Sequence, residues 1–133
     1  IACRVEPTLD DRIQVVKGWL DAAGNTEERV YDVAWAGADR LQADGSLAAI
    51  GSSVDLQTGL TANSIGAASL RVAWQDPEFD PSQAAFYYVR VLQIPTARHS
   101  LLDKLALGDP DLDTRRPDTI QERAYTSAIW YRP

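Results

Sequence analysis

Large apolar side chains recur at every second position in several short stretches of the chain, and turn-forming residues separate those stretches. Alternation of this kind marks a strand with one face turned to a core and the other to water. Residues 12–35 carry the pattern most clearly. Ile13, Val15 and Trp19 share one face of a first run, and Val16 and Leu20 share the other; in a second run Tyr31, Val33 and Trp35 alternate with Glu28, Val30 and Asp32. Asp21-Ala22-Ala23-Gly24-Asn25 supplies turn chemistry between them, so the segment predicts a β-hairpin.

From residue 36 to residue 59 the periodicity fades into Gly, Ala, Asp and Ser, which predicts a long loop with one short edge strand at Val54-Asp55-Leu56. Leu70, Val72 and Trp74 alternate with Arg71 and Ala73 and predict another strand, stopped by Asp76-Pro77-Glu78-Phe79-Asp80-Pro81. Residues 85–94, with Tyr87, Val89 and Val91 on one face, read as the central strand. Pro95 ends it. Residues 100–107 predict one or two helical turns with Leu101, Leu102, Leu105 and Leu107 as the apolar set, residues 108–117 an exposed connection, and residues 123–131 a closing strand. Six or so short strands and one minor helix predict an all-β fold, an immunoglobulin-like or fibronectin-type antiparallel β-sandwich.

Length changes this picture little: 133 residues form one domain, 1–133. Charge narrows the partners. The net charge is −6 and the basic residues are scattered singly, which disfavours nucleic acid or an anionic membrane. No apolar run is long enough to span a bilayer. The chain opens on Ile1-Ala2-Cys3 and contains no Met, so it reads as the C-terminal piece of a larger protein, with any targeting segment upstream. Strand edges bared by such a truncation offer a route to self-association. Cys3 is the single cysteine, cannot form an internal disulfide, and reads as a small buried or half-buried apolar residue.

Candidate chemistry is sparse. One histidine and one cysteine cannot assemble a His/Cys zinc site. His99 lies in a surface segment, and no G-x-S-x-G elbow accompanies it. Asp109, Asp111 and Asp113 have the spacing that opens a calcium loop, but Thr114 and Ile120 stand where the loop needs glycine and a closing carboxylate. They read as a solvated acidic loop, and so does the triplet Asp76, Glu78 and Asp80. With no G-x-G-x-x-G, P-loop or H-E-x-x-H, no catalytic residue, metal ligand or cofactor is assigned. Alternation places Trp19, Trp35 and Trp74 in the core between two layers. Trp130, with Tyr125 or Tyr131, is left as a candidate sugar-stacking platform.

Five stretches carry a family likeness: Asp11-Arg12-Ile13-Gln14-Val15-Val16-Lys17-Gly18-Trp19, Val30-Tyr31-Asp32-Val33-Ala34, Phe86-Tyr87-Tyr88-Val89-Arg90-Val91, Gln121-Glu122-Arg123-Ala124-Tyr125-Thr126-Ser127 and Ile129-Trp130-Tyr131. Through them the sequence resembles the C-terminal part of a family of large bacterial proteins of unassigned function, whose longer members resemble PHP-type metal-dependent phosphoesterases. The resemblance implies that the metal ligands of the hydrolase-like region lie upstream of residue 1. It also implies that this chain is a non-catalytic accessory domain packed on that region. A carbohydrate- or ligand-binding β-sandwich module is the alternative. The closing segment resembles the last strand of an immunoglobulin-like or fibronectin-type tail, except that Ala128 stands where that pattern usually has proline.

Overall fold

The computed structural model describes residues 9–133, so the reading of Cys3 lies outside the described residues. Its frame is the expected hairpin. Strand β1 (Asp10–Leu20) runs antiparallel to β2 (Thr26–Trp35), from Arg12 opposite Trp35 to Leu20 opposite Thr26. The turn between them closes on Asp21. Its carboxylate accepts the amides of Ala23 at 2.9 Å and Asn25 at 2.8 Å, while Gly24 takes a φ of 83° that disfavours a side chain. A register shift between Ile13 and Gln14 leaves Val33 as an extra residue in β2.

On its other side β1 pairs antiparallel with β3 (Ala85–Gln93), which is central as expected. The free side of β3 is then shared by two short strands, β6 (Arg123–Tyr125) and β7 (Ile129–Tyr131). The single closing strand expected from residues 123–131 is thus two strands with a break between them. At the break the Thr126 amide donates to the Val89 carbonyl, and the Thr126 hydroxyl accepts the Val89 amide, each at 3.0 Å. A side chain stands in for main chain there.

The fold is all-β and antiparallel with one short helix, an open, sandwich-like arrangement. A two-stranded ribbon, β4 (Thr96–Ala97) with β5 (Thr119–Ile120), flanks helix α1 (His99–Leu107). Only Leu101 of the expected apolar set is buried; Leu102, Leu105 and Leu107 are exposed. The helix ends on Gly108 in the left-handed conformation and is tied down by Ser100, whose hydroxyl donates to the Pro117 carbonyl at 2.7 Å.

Residues 36–84 hold little regular structure: a single 3-10 turn at Ala38–Arg40 and isolated bridges, among them Val54 to Thr61 in place of the short edge strand. Residues 70–76 carry no ladder either, yet Leu70, Val72, Trp74 and Asp76 are more buried than their neighbours. The segment is a strap laid across the sheet, so the alternation reports packing against a flat face without strand pairing. The core lies beneath it: Ile13, Val15, Val89 and Val91 from the sheet, with Leu70 from the strap, and Val33, Ala34, Trp74 and Tyr87 packed alongside. Asp11 is fully buried and fixes the far end. It accepts Arg12 Nε at 3.0 Å and Gln121 Nε2 at 2.7 Å, and Arg40 Nη1 lies 2.7 Å from its other oxygen.

Candidate functional site

Strand pairing sorts the sheet's side chains onto two faces, and both faces carry features that sequence alone left unassembled. On the inner face, under the strap, Val15 lies opposite Tyr31 and Val89, and Lys17 opposite Arg29 and Tyr87. Lys17 thus occupies the apolar parity of β1, and its side chain is only 3% exposed. A buried ammonium needs a partner and hydrogen-bond acceptors. Asp76 of the strap, 6% exposed, provides them at 2.6 Å, together with the Glu78 carbonyl at 2.8 Å. The ammonium also lies 5.2 Å from the centre of the Trp19 ring and 5.8 Å from that of Tyr87.

The pair is the centre of a network. Tyr87 donates its hydroxyl to Asp76 at 2.8 Å, Tyr31 donates to Glu78 at 3.0 Å, and Glu78 pairs with Arg29. Burial alone would push the Asp76 carboxyl up, but hydrogen bonds from Lys17, the Glu78 amide and Tyr87 outweigh it and hold the group below the ordinary carboxylate range. Burial, then the bond to Glu78 and the nearby carboxylates, pushes the Tyr31 phenol up to about 12. Tyr87 is pushed up as well, by burial and then by Asp76. Both phenols are therefore held neutral, which suits anchoring and opposes a role as bases. The expectation that Asp76, Glu78 and Asp80 form one solvated loop is corrected here. Asp76 is the buried counter-ion of Lys17, Glu78 engages Arg29 and Tyr31, and Asp80 closes its own turn on the Ser82 amide at 2.8 Å.

Beside this network the strap stands off the sheet. A cavity of about 490 Å³ opens between them, floored by Val15 and Val89 and walled by Val72, Trp74, Phe79 and Ile129.

On the outer face aromatic rings pack across the strands. Gly18 lies opposite Phe86, and an ideal Cβ on Gly18 would sit 2.4 Å from two carbons of that ring, so glycine is what lets the ring lie across β1. Phe86 in turn meets Trp130 at 5.3 Å between centroids, and Tyr88 meets Tyr125 at 6.2 Å. Cross-strand pairing puts Trp130 opposite Phe86, and Tyr125 opposite Arg90. The result is a row of four aromatic rings along β3 and its edge strands, with Trp130 69% and Tyr125 58% exposed. Near its end a cleft of about 530 Å³ is lined by Leu20, Glu28, Phe86, Trp130 and Arg132.

Of the three residues expected to form a platform, Trp130 and Tyr125 thus share the outer face. Tyr131 does not. It lies opposite Ala85 on the inner parity, packs edge-on against Phe79 at 4.9 Å and donates its hydroxyl to the Pro81 carbonyl at 2.9 Å. Trp19, Trp35 and Trp74 are half-buried; of these, Trp74 packs on the core cluster and 5.0 Å from Tyr31. His99 is exposed at the start of α1. Asp109 and Asp113 accept the amides of Asp111 and Arg115 within their own exposed turns. Among the described residues no three His, Cys, Asp or Glu side chains gather closely enough to hold a metal ion, and no helix is long and apolar enough to cross a membrane.

Residues 6–133 match the sequence pattern of a family described as proteins of unknown function, DUF3604. The chain belongs to the DUF3604 family. No curated protein and no solved structure matches it. The DUF3604 match runs through both faces of the sheet, the strap and the helix, so all the features above lie within the family region. The site that sequence reasoning missed is the Lys17–Asp76 network. Its signal was a lysine standing between Val15 and Trp19 on the core-facing parity, with an acidic turn elsewhere in the chain free to reach it.

Proposed function

We propose that this DUF3604 chain is a non-catalytic accessory module that packs through its outer sheet face on a PHP-like, metal-dependent hydrolase region of the same polypeptide. In that role it is a C-terminal domain of a bacterial protein, occupying the place of an immunoglobulin-like tail and steadying the hydrolase region or shaping the rim of its site. One observation carries the reading. The outer face leaves Trp130 and Tyr125 exposed in two neighbouring aromatic pairs, flanked by exposed Leu20 and Val30, while Val16 among them is buried. Contiguous apolar patches on single domains are characteristically contact surfaces, and aromatic residues are enriched at the centres of interfaces.

Hydrogen exchange on this chain alone and on the longer polypeptide tests the proposal. Amides of β6 and β7 are expected to exchange at least about tenfold more slowly when the hydrolase region is present, because docking suppresses local opening. Equal exchange in the two would refute it. So would metal-dependent hydrolysis of p-nitrophenyl phosphate or sulfate by the 133-residue chain, which is expected to turn over neither ester and to bind no divalent metal tightly.

The cleft beside Trp130 favours a second reading, a carbohydrate-binding module. An exposed indole stacks on a sugar ring while Glu28 and Arg132 lie within the same cleft to engage its hydroxyls. Saturable quenching of tryptophan fluorescence by a soluble oligosaccharide, lost in Trp130→Ala, would favour this reading over docking.

A further inference from the structure

We infer that the cavity between the strap and the inner face of the sheet is a binding site for an uncharged, largely apolar small molecule. It lies on the face opposite Trp130 and Tyr125, with Tyr88 bordering both sides, and does not depend on the docking proposal. Four observations lead there. The first is size. About 490 Å³ of space open to solvent on one side falls within the range of small-molecule pockets. The second is lining. Val15 and Val89 form a floor already buried on its sheet side, and Val72, Trp74, Phe79 and Ile129 form apolar walls. Water against this lining finds few partners, and a carbon skeleton that displaces it gains apolar contacts with floor and walls.

The third observation is electrostatic. Among the described residues Asp76 is the single charged one lining the cavity, and both of its oxygens are occupied. Oδ2 accepts Lys17 and Tyr87; Oδ1 accepts the Glu78 amide at 2.8 Å and faces the Tyr31 hydroxyl at 3.4 Å. An entering ion would be stripped of water with its counter-charge already spent, whereas a neutral molecule would not. The fourth is the mouth. Ile129 lines the cavity yet is 65% exposed, so an apolar side chain at the sheet edge marks where the space meets solvent. Trp74 and Phe79 on the strap offer flat faces to a planar or branched ligand.

The test titrates the 133-residue chain with N-phenyl-1-naphthylamine, an uncharged apolar fluorophore, alongside its charged analogue 1-anilinonaphthalene-8-sulfonate. Saturable binding of the uncharged probe at one site per chain is expected, with the sulfonate at least about tenfold weaker because its charge must be desolvated. Val72→Phe fills the space and Ile129→Lys places an ammonium at the mouth; each is expected to weaken the uncharged probe at least about tenfold. Ile129 is exposed enough that its variant should keep the parent urea midpoint, so it serves if Val72→Phe fails to fold. Leu107→Lys removes an equally exposed apolar side chain on α1 and is expected to leave binding unchanged. The inference is overturned if the probe does not saturate, if the sulfonate binds as tightly, if Ile129→Lys binds like the parent, or if Leu107→Lys abolishes binding.

Discussion

Replacing Gly18 by alanine gives a test whose sign depends on a single ring. An added Cβ would lie 2.4 Å from Cε1 and Cζ of Phe86. Carbon atoms attract best at about 3.5–4.0 Å, so the overlap exceeds about 1 Å and the ring must leave its place across β1. Alanine ordinarily improves a strand interior by about 0.5–1 kcal/mol over glycine, while forcing an extra methyl into a packed site costs about 1–3 kcal/mol. Losing the Phe86–Trp130 contact adds about 0.5–1.5 kcal/mol to the cost. Gly18→Ala should therefore destabilise the protein by about 2 kcal/mol, the difference of these terms, which spans roughly 0.5–4 kcal/mol. In a Phe86→Ala background the obstruction is gone and only the strand preference remains. The same substitution should then stabilise, by about 0.5–1 kcal/mol. Urea unfolding followed by tryptophan fluorescence measures all four proteins, with the midpoint read at constant slope. The reasoning fails if Gly18→Ala has the same sign and size in both backgrounds, since coupled neighbours should depart from additivity by well over about 0.5 kcal/mol.

Further expectations concern the buried charges and phenols. Lys17→Met should destabilise by about 3–5 kcal/mol by stranding Asp76, and Lys17→Met with Asp76→Asn should cost clearly less than the sum of the single changes, as measured in the same urea assay. Because Asp76 titrates below its ordinary range when folded, its contribution should be complete above about pH 4 and lost as pH falls through the lowered value, so the acid unfolding limb should flatten in that double variant. Tyr31 and Tyr87 should stay protonated while the phenols of the unfolded chain ionise from about pH 10. Stability should fall from there towards pH 12, with a late-titrating component in the absorbance at 295 nm that Tyr31→Phe reduces. Asp10 is buried, its Oδ1 has no hydrogen-bond partner among the described residues, and burial pushes its carboxyl up. Asp10→Asn should therefore raise stability at pH 7 by about 1 kcal/mol, with the gain vanishing as pH falls below the ordinary carboxylate value and the parent group takes up its proton.

Much of the frame was legible from residue type alone. The hairpin, the central strand and the all-β class follow from period-two alternation and turn chemistry, which are local properties. Three features were not. The strap at residues 70–76 alternates like a strand because it packs like one, and periodicity does not distinguish a ladder from a flat contact. The closing strand splits at Thr126, where a hydroxyl replaces a main-chain group, a substitution with no hydrophobic signature. The helix buries Leu101 and exposes Leu102, Leu105 and Leu107 because its neighbours are a two-stranded ribbon and loops rather than a broad face. The site was less legible than the fold. Trp130 and Tyr125 were singled out as flat aromatics, but only register shows that they share a face and that Tyr131 is on the other. Lys17 and Asp76 are far apart in the chain, and nothing local to either names the other.

The uneven spacing of the sheet's strands along the chain sets how the molecule must assemble. β1 and β2 meet across a five-residue turn and can zip without help, whereas β3 joins β1 only after residues 36–84 have been gathered into a closed loop. That step dominates the ordering entropy and should limit the folding rate, as in other proteins rich in distant pairings. The same arithmetic makes the exposed turn around Gly45 tolerant of growth: doubling a flexible loop adds only about 0.6 kcal/mol to closure. Lengthening there should slow assembly slightly while leaving the aromatic row and the strap where they are.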